Sequence, residues 1–303
     1  AIKLQTYTAD TMTLDLEDNE FFISDSKSLW NGQSMYSLFQ KAHTPWEWHA
    51  PIMERATQKG ILCFSSPFDE TAVDFLESLD VPAYKIASFE CIDLPLIRKA
   101  ASTGKPLIIS TGMATVAEIA AAVDTARSAG CDDIVLLKCT STYPASPQNS
   151  NLLTIPHLRE LFQCEVGLSD HTLGIGVATA AVALGASVIE KHFTLSRSDG
   201  GVDSAFSLEP NEMEALVAET RRARQALGQI KYGPTEPERN AVRRRRSLYI
   251  AEDLKAGDVL TASNLRRIRP GLGLAPKYFD FLIGKKINQA VSKGTPMSWD
   301  YIS

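Results

Sequence analysis

Seven short segments of one character set the limits on what this chain can fold into: residues 1–7, 60–67, 83–88, 106–112, 134–140, 165–171 and 187–193. Each is built of small and β-branched apolar residues and ends in polar ones, the composition of strands. Helical stretches lie between most of them. Thr71-Ala-Val-Asp-Phe-Leu-Glu-Ser-Leu, Ala117-Glu-Ile-Ala-Ala-Ala-Val and Val177-Ala-Thr-Ala-Ala-Val-Ala-Leu carry apolar residues at i, i+3/i+4 spacing. Glycine and proline punctuate the joins. From the second segment on, the unit recurs every ~20–30 residues, as a βα repeat does.

Alternating strand and helix predicts a parallel sheet covered by helices, either an open doubly wound sheet or a closed barrel. Polar residues collect at the C-terminal ends of nearly all the strands, and no Gly-x-Gly-x-x-Gly turn occurs. Both features favour an α/β TIM (β/α)8-type barrel over residues 1–227. Such a barrel takes eight strands. The chain opens without Met on what reads as a strand already under way, so the first strand is expected to precede Ala1. Residues 8–44 read as a long insertion on the active face, folded as a lid because it carries aromatics, with a helix over 44–59. Residues 228–240, polar and carrying Pro234 and Pro237, read as a linker. Residues 241–303 read as a small β-rich domain. Leu254-Lys-Ala-Gly-Asp-Val-Leu and Val291-Ser-Lys-Gly-Thr-Pro-Met form a faint duplication there, on either side of a glycine-rich loop that carries Arg269.

Composition removes several classes of function. A hydrophobic fraction of 44% supports a packed core, and no apolar run approaches the ~18 residues of a membrane span. A net charge of −5 argues against a nucleic-acid surface. The one dense basic run, Arg243 to Arg246, reads as a solvated face. Five cysteines without a Cys-x-x-Cys pair argue against a disulfide framework or structural zinc and fit a reducing cytoplasm.

Side chains alternate faces along a strand. Glu190 and His192 therefore share one face and Lys191 takes the other; Ser169 and His171 share a face in the preceding strand. Neighbouring segments are normally neighbouring strands, so His171 and His192 are expected to converge at the barrel mouth. Two imidazoles with water and substrate oxygens suit a catalytic divalent ion; the plainer reading of each is a hydrogen-bonded core histidine. Lys3, Lys85 and Lys138 lie near strand ends. With Ser66, Ser88, Ser141 and Ser169 they would form a pocket for phosphate or carboxylate. A Schiff-base lysine and a lysine that merely reaches solvent are the alternatives. Asp170 reads as structural, fixing a loop. Glu90 would meet a sugar hydroxyl or lie solvated in a loop. Tyr143, two residues beyond Ser141, is expected on its face.

Read together, Lys3-Leu-Gln-Thr-Tyr, Phe64-Ser-Ser-Pro-Phe-Asp, Tyr84-Lys-Ile-Ala-Ser, Ser110-Thr-Gly-Met-Ala-Thr, Cys139-Thr-Ser-Thr-Tyr-Pro, Gly167-Leu-Ser-Asp-His-Thr and Glu190-Lys-His-Phe-Thr resemble the sialic acid synthase family. The tail, with Arg269-Pro-Gly-Leu-Gly, resembles that family's C-terminal antifreeze-like (SAF) domain. Tyr7-Thr-Ala-Asp-Thr-Met-Thr-Leu, Ala42-His-Thr-Pro-Trp-Glu-Trp-His and Gly200-Gly-Val-Asp-Ser-Ala-Phe-Ser-Leu-Glu-Pro are most similar to the pseudaminic acid synthase branch, which spore-coat polysaccharide proteins also resemble.

The resemblance implies condensation of phosphoenolpyruvate with an acylamino-sugar aldehyde, a diacetamido-trideoxy-altrose, plus water, to give pseudaminic acid and phosphate. It implies a divalent metal, Mn or Mg, on His171 and His192. It implies phosphoenolpyruvate held by Lys3, Ser66, Lys85, Ser88, Ser141 and Ser169, with Glu190, Tyr143 and Asp203 around sugar and metal. It further implies that Arg269 reaches the sugar acyl group in a neighbouring subunit, within a homodimer that exchanges SAF domains. Two departures stand out. Ser141 occupies a position where some relatives have Asn, and the family's Glu-Ile-Gly-x-Asn-His-type motif, whose Glu helps manage the water, is absent from the sequence. The rival readings are synthesis of legionaminic or N-acetylneuraminic acid, a non-catalytic sugar- or anion-binding barrel, and a Schiff-base aldolase.

Overall fold

In a computed structural model, described for residues 1–26 and 28–302, the chain divides into two compact units, Ala1–Gly228 and Gln229–Ser303. The first is built on seven parallel strands: β1 (Ile2–Thr6), β2 (Cys63–Pro67), β3 (Tyr84–Ile86), β4 (Leu107–Ser110), β5 (Ile134–Cys139), β6 (Glu165–Asp170) and β7 (Val188–Lys191). They pair in chain order, leaving β1 and β7 as the outer strands. The seven expected segments are these seven strands.

The sheet places its two faces in different chemistry. One face presents Tyr84, Ile86, Leu107, Ile109, Leu136, Val166 and Leu168, all essentially buried. These pack against Leu76, Ile97, Val123, Ile155 and Leu158 of the covering helices. Burial of each such side chain is worth about 1.5–3 kcal/mol, which fixes which face turns outward. The other face then carries the polar set. Register pairs Lys3 with Phe64, Gln5 with Ser66, Lys85 with Ile108, Ser110 with Leu137, Cys139 with Ser169 and Ser169 with Glu190.

The helices start where side-chain oxygens take up free backbone N–H groups. Asp69 caps α3 (Glu70–Ser78), Asp93 caps α4 (Leu94–Ala101), and Thr115 with Glu118 forms a capping box on α5 (Val116–Ser128). Before them the insertion holds a short antiparallel pair, Phe22–Ile23 with Gln33–Ser34. The helix expected over 44–59 is present but starts later, as α2 (His49–Gln58), and a separate helix, α1 (Met35–Ala42), forms within the stretch read as the insertion. His43 and Pro45 adopt extended ψ values of 148° and 133°. His43, preceding Thr44-Pro45, ends the first helix. Pro45 sets the 3-10 turn Trp46–Trp48 ahead of the second.

His49 is fully buried in α2. Its Nε2 lies 2.7 Å from Thr6 Oγ1, which in turn lies 2.7 Å from Ser65 Oγ, tying α2 to β1 and β2. Three more helices follow, α6 (Thr154–Phe162), α7 (Gly176–Ala183) and α8 (Pro210–Leu227), and one helical turn, Ala9–Met12, stands just after β1.

The second unit pairs β8 (Ser247–Ile250) antiparallel with β9 (Leu265–Ile268). The two halves of the duplicated motif meet each other: Leu254 and Val291 exchange both backbone hydrogen bonds at 2.9 Å. Leu248, Ile250, Leu260, Leu265, Leu282, Ile287 and Met297 fill the core between them. Gly273 lets the glycine-rich loop lie against β8, since a Cβ there would sit 2.3 Å from the Leu248 carbonyl oxygen. The stretch expected to be a bare linker carries a 3-10 run, Glu236–Arg244, capped by Thr235 and Glu238.

Candidate active site

The polar strand face converges on Glu190. Its Oε2 lies 3.7 Å from Lys3 Nζ and its Oε1 lies 3.8 Å from Lys85 Nζ. Ser169 Oγ donates to Oε1 at 2.9 Å. Burial alone would push the Glu190 carboxyl up. Lys85, Lys3 and the Ser169 hydroxyl outweigh it and hold the group well below the usual carboxylate range. Lys85, 1% exposed, goes the other way: burial drives its ammonium down to about 8, although Glu190 opposes the shift. Its Nζ donates to the Ile86 carbonyl at 2.9 Å.

Serine hydroxyls line the same space. Ser88 Oγ and Ser141 Oγ are 2.7 Å apart. Gly112 makes that closeness possible: φ is +43° and a Cβ would fall 2.5 Å from Ser88 Cβ and 2.8 Å from Ser141 Oγ. The Ser66 and Ser110 hydroxyls are buried with no hydrogen-bond partner in the protein. An orphaned buried hydroxyl costs about 1–3 kcal/mol, and an oxyanion bound between Lys3 and Lys85 would satisfy both.

Above this pocket the two imidazoles meet, with ring centroids 5.3 Å apart. His171 Nδ1 lies 2.9 Å from the Thr140 carbonyl oxygen, and His192 Nδ1 lies 3.3 Å from Asp203 Oδ2. Both neighbours accept hydrogen bonds, which puts a proton on each Nδ1; in the neutral ring Nε2 then carries the lone pair. That is the tautomer of a metal-binding imidazole. Two such nitrogens fit a divalent ion that takes its other ligands from substrate and water. Among the described residues no group of three or more His, Cys, Asp and Glu could hold an ion unaided.

Tyr143 packs on His171 at 4.5 Å and on Phe206 at 5.3 Å, with its hydroxyl pKa raised by burial. Glu90 lies half-buried beside the pocket. Desolvation lifts its carboxyl to about 6 against the pull of Lys85, and Oε2 has no partner.

The structure thus brings Lys3, Ser66, Lys85, Ser88, Ser141, Ser169, Glu190, His171 and His192 together, with Tyr143, Glu90 and Asp203 around them. It does not bring in Lys138. Cys139 shares the face of Ser169, so Lys138 takes the opposite one, where its Nζ donates to the Cys139 carbonyl at 2.7 Å and to Thr140 Oγ1 at 3.0 Å. Arg269 is exposed in the second unit, following β9.

Three residues of this region do not appear in the sequence-based set. Ser110 and Gln5 sit on the inner face by register, and strand alternation was the signal that would have found them. Trp30, from the insertion, packs on Tyr143 at 5.9 Å, and nothing local in the sequence points to that contact. Asp170, read as structural, pairs at 3.0 Å with Lys191 on the outer face; Lys191, expected there as a lysine reaching solvent, is instead buried in this ion pair, the side chains being 2% and 1% exposed. Asp170 Oδ1 also accepts from Thr172 N–H at 2.9 Å, fixing the loop after β6.

Residues 1–232 match the NeuB family and residues 245–302 the SAF domain. The pseudaminic acid synthase of Helicobacter pylori is 43% identical over 99% of this chain and 88% of that protein. The N,N'-diacetyllegionaminic acid synthase of Legionella pneumophila is 39% identical over 100% of this chain and 86% of that protein. Among solved structures, the N-acetylneuraminic acid synthetase of Leptospira borgpetersenii superposes with a TM-score of 0.69 at 33% identity, covering 80% of this chain and 79% of the other. A rolled parallel sheet with two lysines, a carboxylate and two imidazoles at one end agrees with these likenesses: the chain belongs to the NeuB family and carries a SAF domain after its barrel.

Proposed function

We propose that the chain condenses phosphoenolpyruvate with a diacetamido-trideoxy-altrose and water to give pseudaminic acid and phosphate, making it a transferase of nonulosonic acid synthesis. The observation that carries the reading is the pair of ammonium groups flanking Glu190, next to two orphaned serine hydroxyls and beneath two imidazoles with free Nε2 atoms.

Lys3 and Lys85 would neutralise the phosphate or carboxylate of phosphoenolpyruvate, with Ser66, Ser88, Ser110, Ser141 and Ser169 donating to its oxygens. Held so, the enol C3 faces the sugar aldehyde, and the new C–C bond forms between C3 and that carbon. Water adds at C2 of the resulting cation, and the tetrahedral carbon expels phosphate by cleavage of its C–O bond. Glu190, kept ionised by its lysines, is placed to take the proton of that water.

His171 and His192 would hold a divalent ion, Mn or Mg, and its chemistry would be to polarise the aldehyde oxygen. Tyr143, Glu90 and Asp203 would contact the sugar. Arg269 would serve the site of a neighbouring subunit in a homodimer that exchanges its SAF domains. All five cysteines are free and buried, in keeping with a reducing cytoplasm, and among the described residues no helix is long and apolar enough to cross a membrane.

The test is phosphate release from phosphoenolpyruvate. It should require both the sugar aldehyde and a divalent ion, and the altrose-configured diacetamido sugar should outperform the precursors of legionaminic and N-acetylneuraminic acid. Equal or better turnover of the legionaminic precursor would reassign the sugar. No phosphate release with any of the three would remove the catalytic reading. Trapping of pyruvate on Lys85 by borohydride would replace it with a Schiff-base mechanism.

A further inference from the structure

The insertion between β1 and α1 sends one aromatic side chain to the site. Trp30 Nε1 donates to the Val202 carbonyl at 3.2 Å, and its ring lies 5.9 Å from that of Tyr143. Each contact leads to one imidazole. Val202 immediately precedes Asp203, whose carboxylate faces His192 Nδ1. The Asp203 carbonyl accepts from Ser207 Oγ at 2.7 Å, so the residue is held from both sides. Tyr143 in turn packs on His171 at 4.5 Å and stands edge-on to His192 at 6.3 Å. Phe206 closes the same cluster, 4.9 Å from His192.

We propose that Trp30 is a positioning residue for the imidazole pair: its indole N–H fixes the Val202–Asp203 peptide so that Asp203 orients His192, and its ring holds Tyr143 against His171. The inference rests on the proposed reading of the two histidines as holders of a divalent ion. It goes beyond that reading by giving the insertion a task in the chemistry rather than only a cover over the mouth. An imidazole whose Nδ1–H is left without an oriented acceptor is free to rotate or to change tautomer, and the cost falls on the metal bond. The indole is well suited to the task because it joins a large flat contact to a single donor.

The experiment compares wild type with Trp30→Phe, which keeps an aromatic ring but loses the donor, and with Trp48→Phe as a control at an exposed tryptophan. Mn2+ binding is read from the electron paramagnetic resonance of the free ion, separately from turnover. Removing a group that orients a ligand typically weakens metal binding by about 10-fold or more; one step further out, Trp30→Phe should weaken it about 5-fold. It should also lower kcat while leaving the KM for phosphoenolpyruvate within about two-fold, and Trp48→Phe should match wild type.

Unchanged Mn2+ affinity and kcat in a folded Trp30→Phe would overturn the role of Trp30 and leave the proposed function standing. A wild-type protein that binds no Mn2+ would overturn both. Should Trp30→Phe not fold, wild-type protein labelled with 15N-tryptophan answers the question: Mn2+ should broaden the Trp30 indole N–H resonance, assigned through variants of the other three tryptophans. A Trp30 resonance that stays sharp with the ion bound sinks the proposal.

Discussion

Lys3 and Glu190 stand on the two outer strands of a seven-stranded sheet, yet their charged ends lie 3.7 Å apart. The sheet is therefore rolled until its first and last strands face each other, and their side chains close the pocket that no single strand pair provides. Lys85, from the interior of the sheet, reaches the same carboxylate at 3.8 Å.

Lys85 sets the first prediction. Burial depresses its pKa to about 8, so the ammonium that a dianion needs is fully present below that pH and is lost above it. The affinity of the free enzyme for phosphoenolpyruvate should be flat below about pH 8 and fall about ten-fold per unit above it, once substrate ionisation is accounted for. Titration calorimetry from pH 6.5 to 9.5 checks this. The stability sign is separate: the desolvation cost of the charged Lys85 is present below about pH 8 and relieved as pH rises toward the unfolded value. Affinity that holds constant to pH 9.5 would remove Lys85 from the anion pocket.

Lysine placement gives a paired test. Lys85→Met should raise the KM for phosphoenolpyruvate at least about ten-fold, because it removes a buried cation beside the bound dianion. Lys138→Met should shift that KM by less than about two-fold, since its ammonium binds the Cys139 carbonyl and Thr140 on the other face. Steady-state kinetics with both variants decides between inner and outer placement.

The imidazoles predict metal dependence. His171→Ala or His192→Ala should abolish measurable turnover, and added Mn2+ should not restore it, because each removes one of the two imidazoles that would hold the ion. Asp203→Asn should retain weaker Mn2+ binding, a loss of about 10- to 100-fold, as expected where the group that orients a ligand is altered. Mn2+ titration of the three variants is the measurement.

Gly112 predicts a local steric effect. An alanine there meets Ser88 Cβ at 2.5 Å and takes a backbone conformation that side chains rarely adopt. Gly112→Ala should cost about 1–3 kcal/mol of stability. It should also weaken phosphoenolpyruvate more than sugar, since Ser88 and Ser141 must separate. Denaturant melts together with the two KM values test it.

The outer face supplies a stability prediction independent of substrate. Lys191→Met strands the Asp170 carboxylate, whose side chain is 2% exposed, beneath the helices. Removing one partner of a buried pair costs about 3–5 kcal/mol, and urea unfolding should show a loss of that order. The double variant Lys191→Met/Asp170→Leu should recover most of it.

Much of the site was legible in the sequence because strand alternation is local. Glu190 and His192 on one face with Lys191 on the other, and Ser169 with His171, follow from a period of two residues and stand so in the structure. The same rule, carried through within the strands, sets Lys138 opposite to Cys139, which pairs with Ser169, and places Ser110 on the inner face. Grouping Lys138 with the pocket lysines by proximity to a strand end set that parity aside. The helix over 44–59 stands in the structure as 49–58; its start shifts because Pro45 sets a 3-10 turn, Trp46–Trp48, ahead of it.

By itself the sequence determined the order and direction of the strands, the face each side chain takes and the start of a second unit, because these follow from chain-local periodicity and capping. Only the tertiary structure decided which of those side chains meet. Lys3 meets Glu190 because the sheet curls, Trp30 reaches Val202 because the insertion folds back onto the segment after β7, and Gly112 allows two serines that follow different strands to pair. Such contacts depend on closure over distances of 53 to 187 residues along the chain (between positions 88 and 141 for the serines, 3 and 190 for the ion pair), and no local pattern encodes a separation of that size.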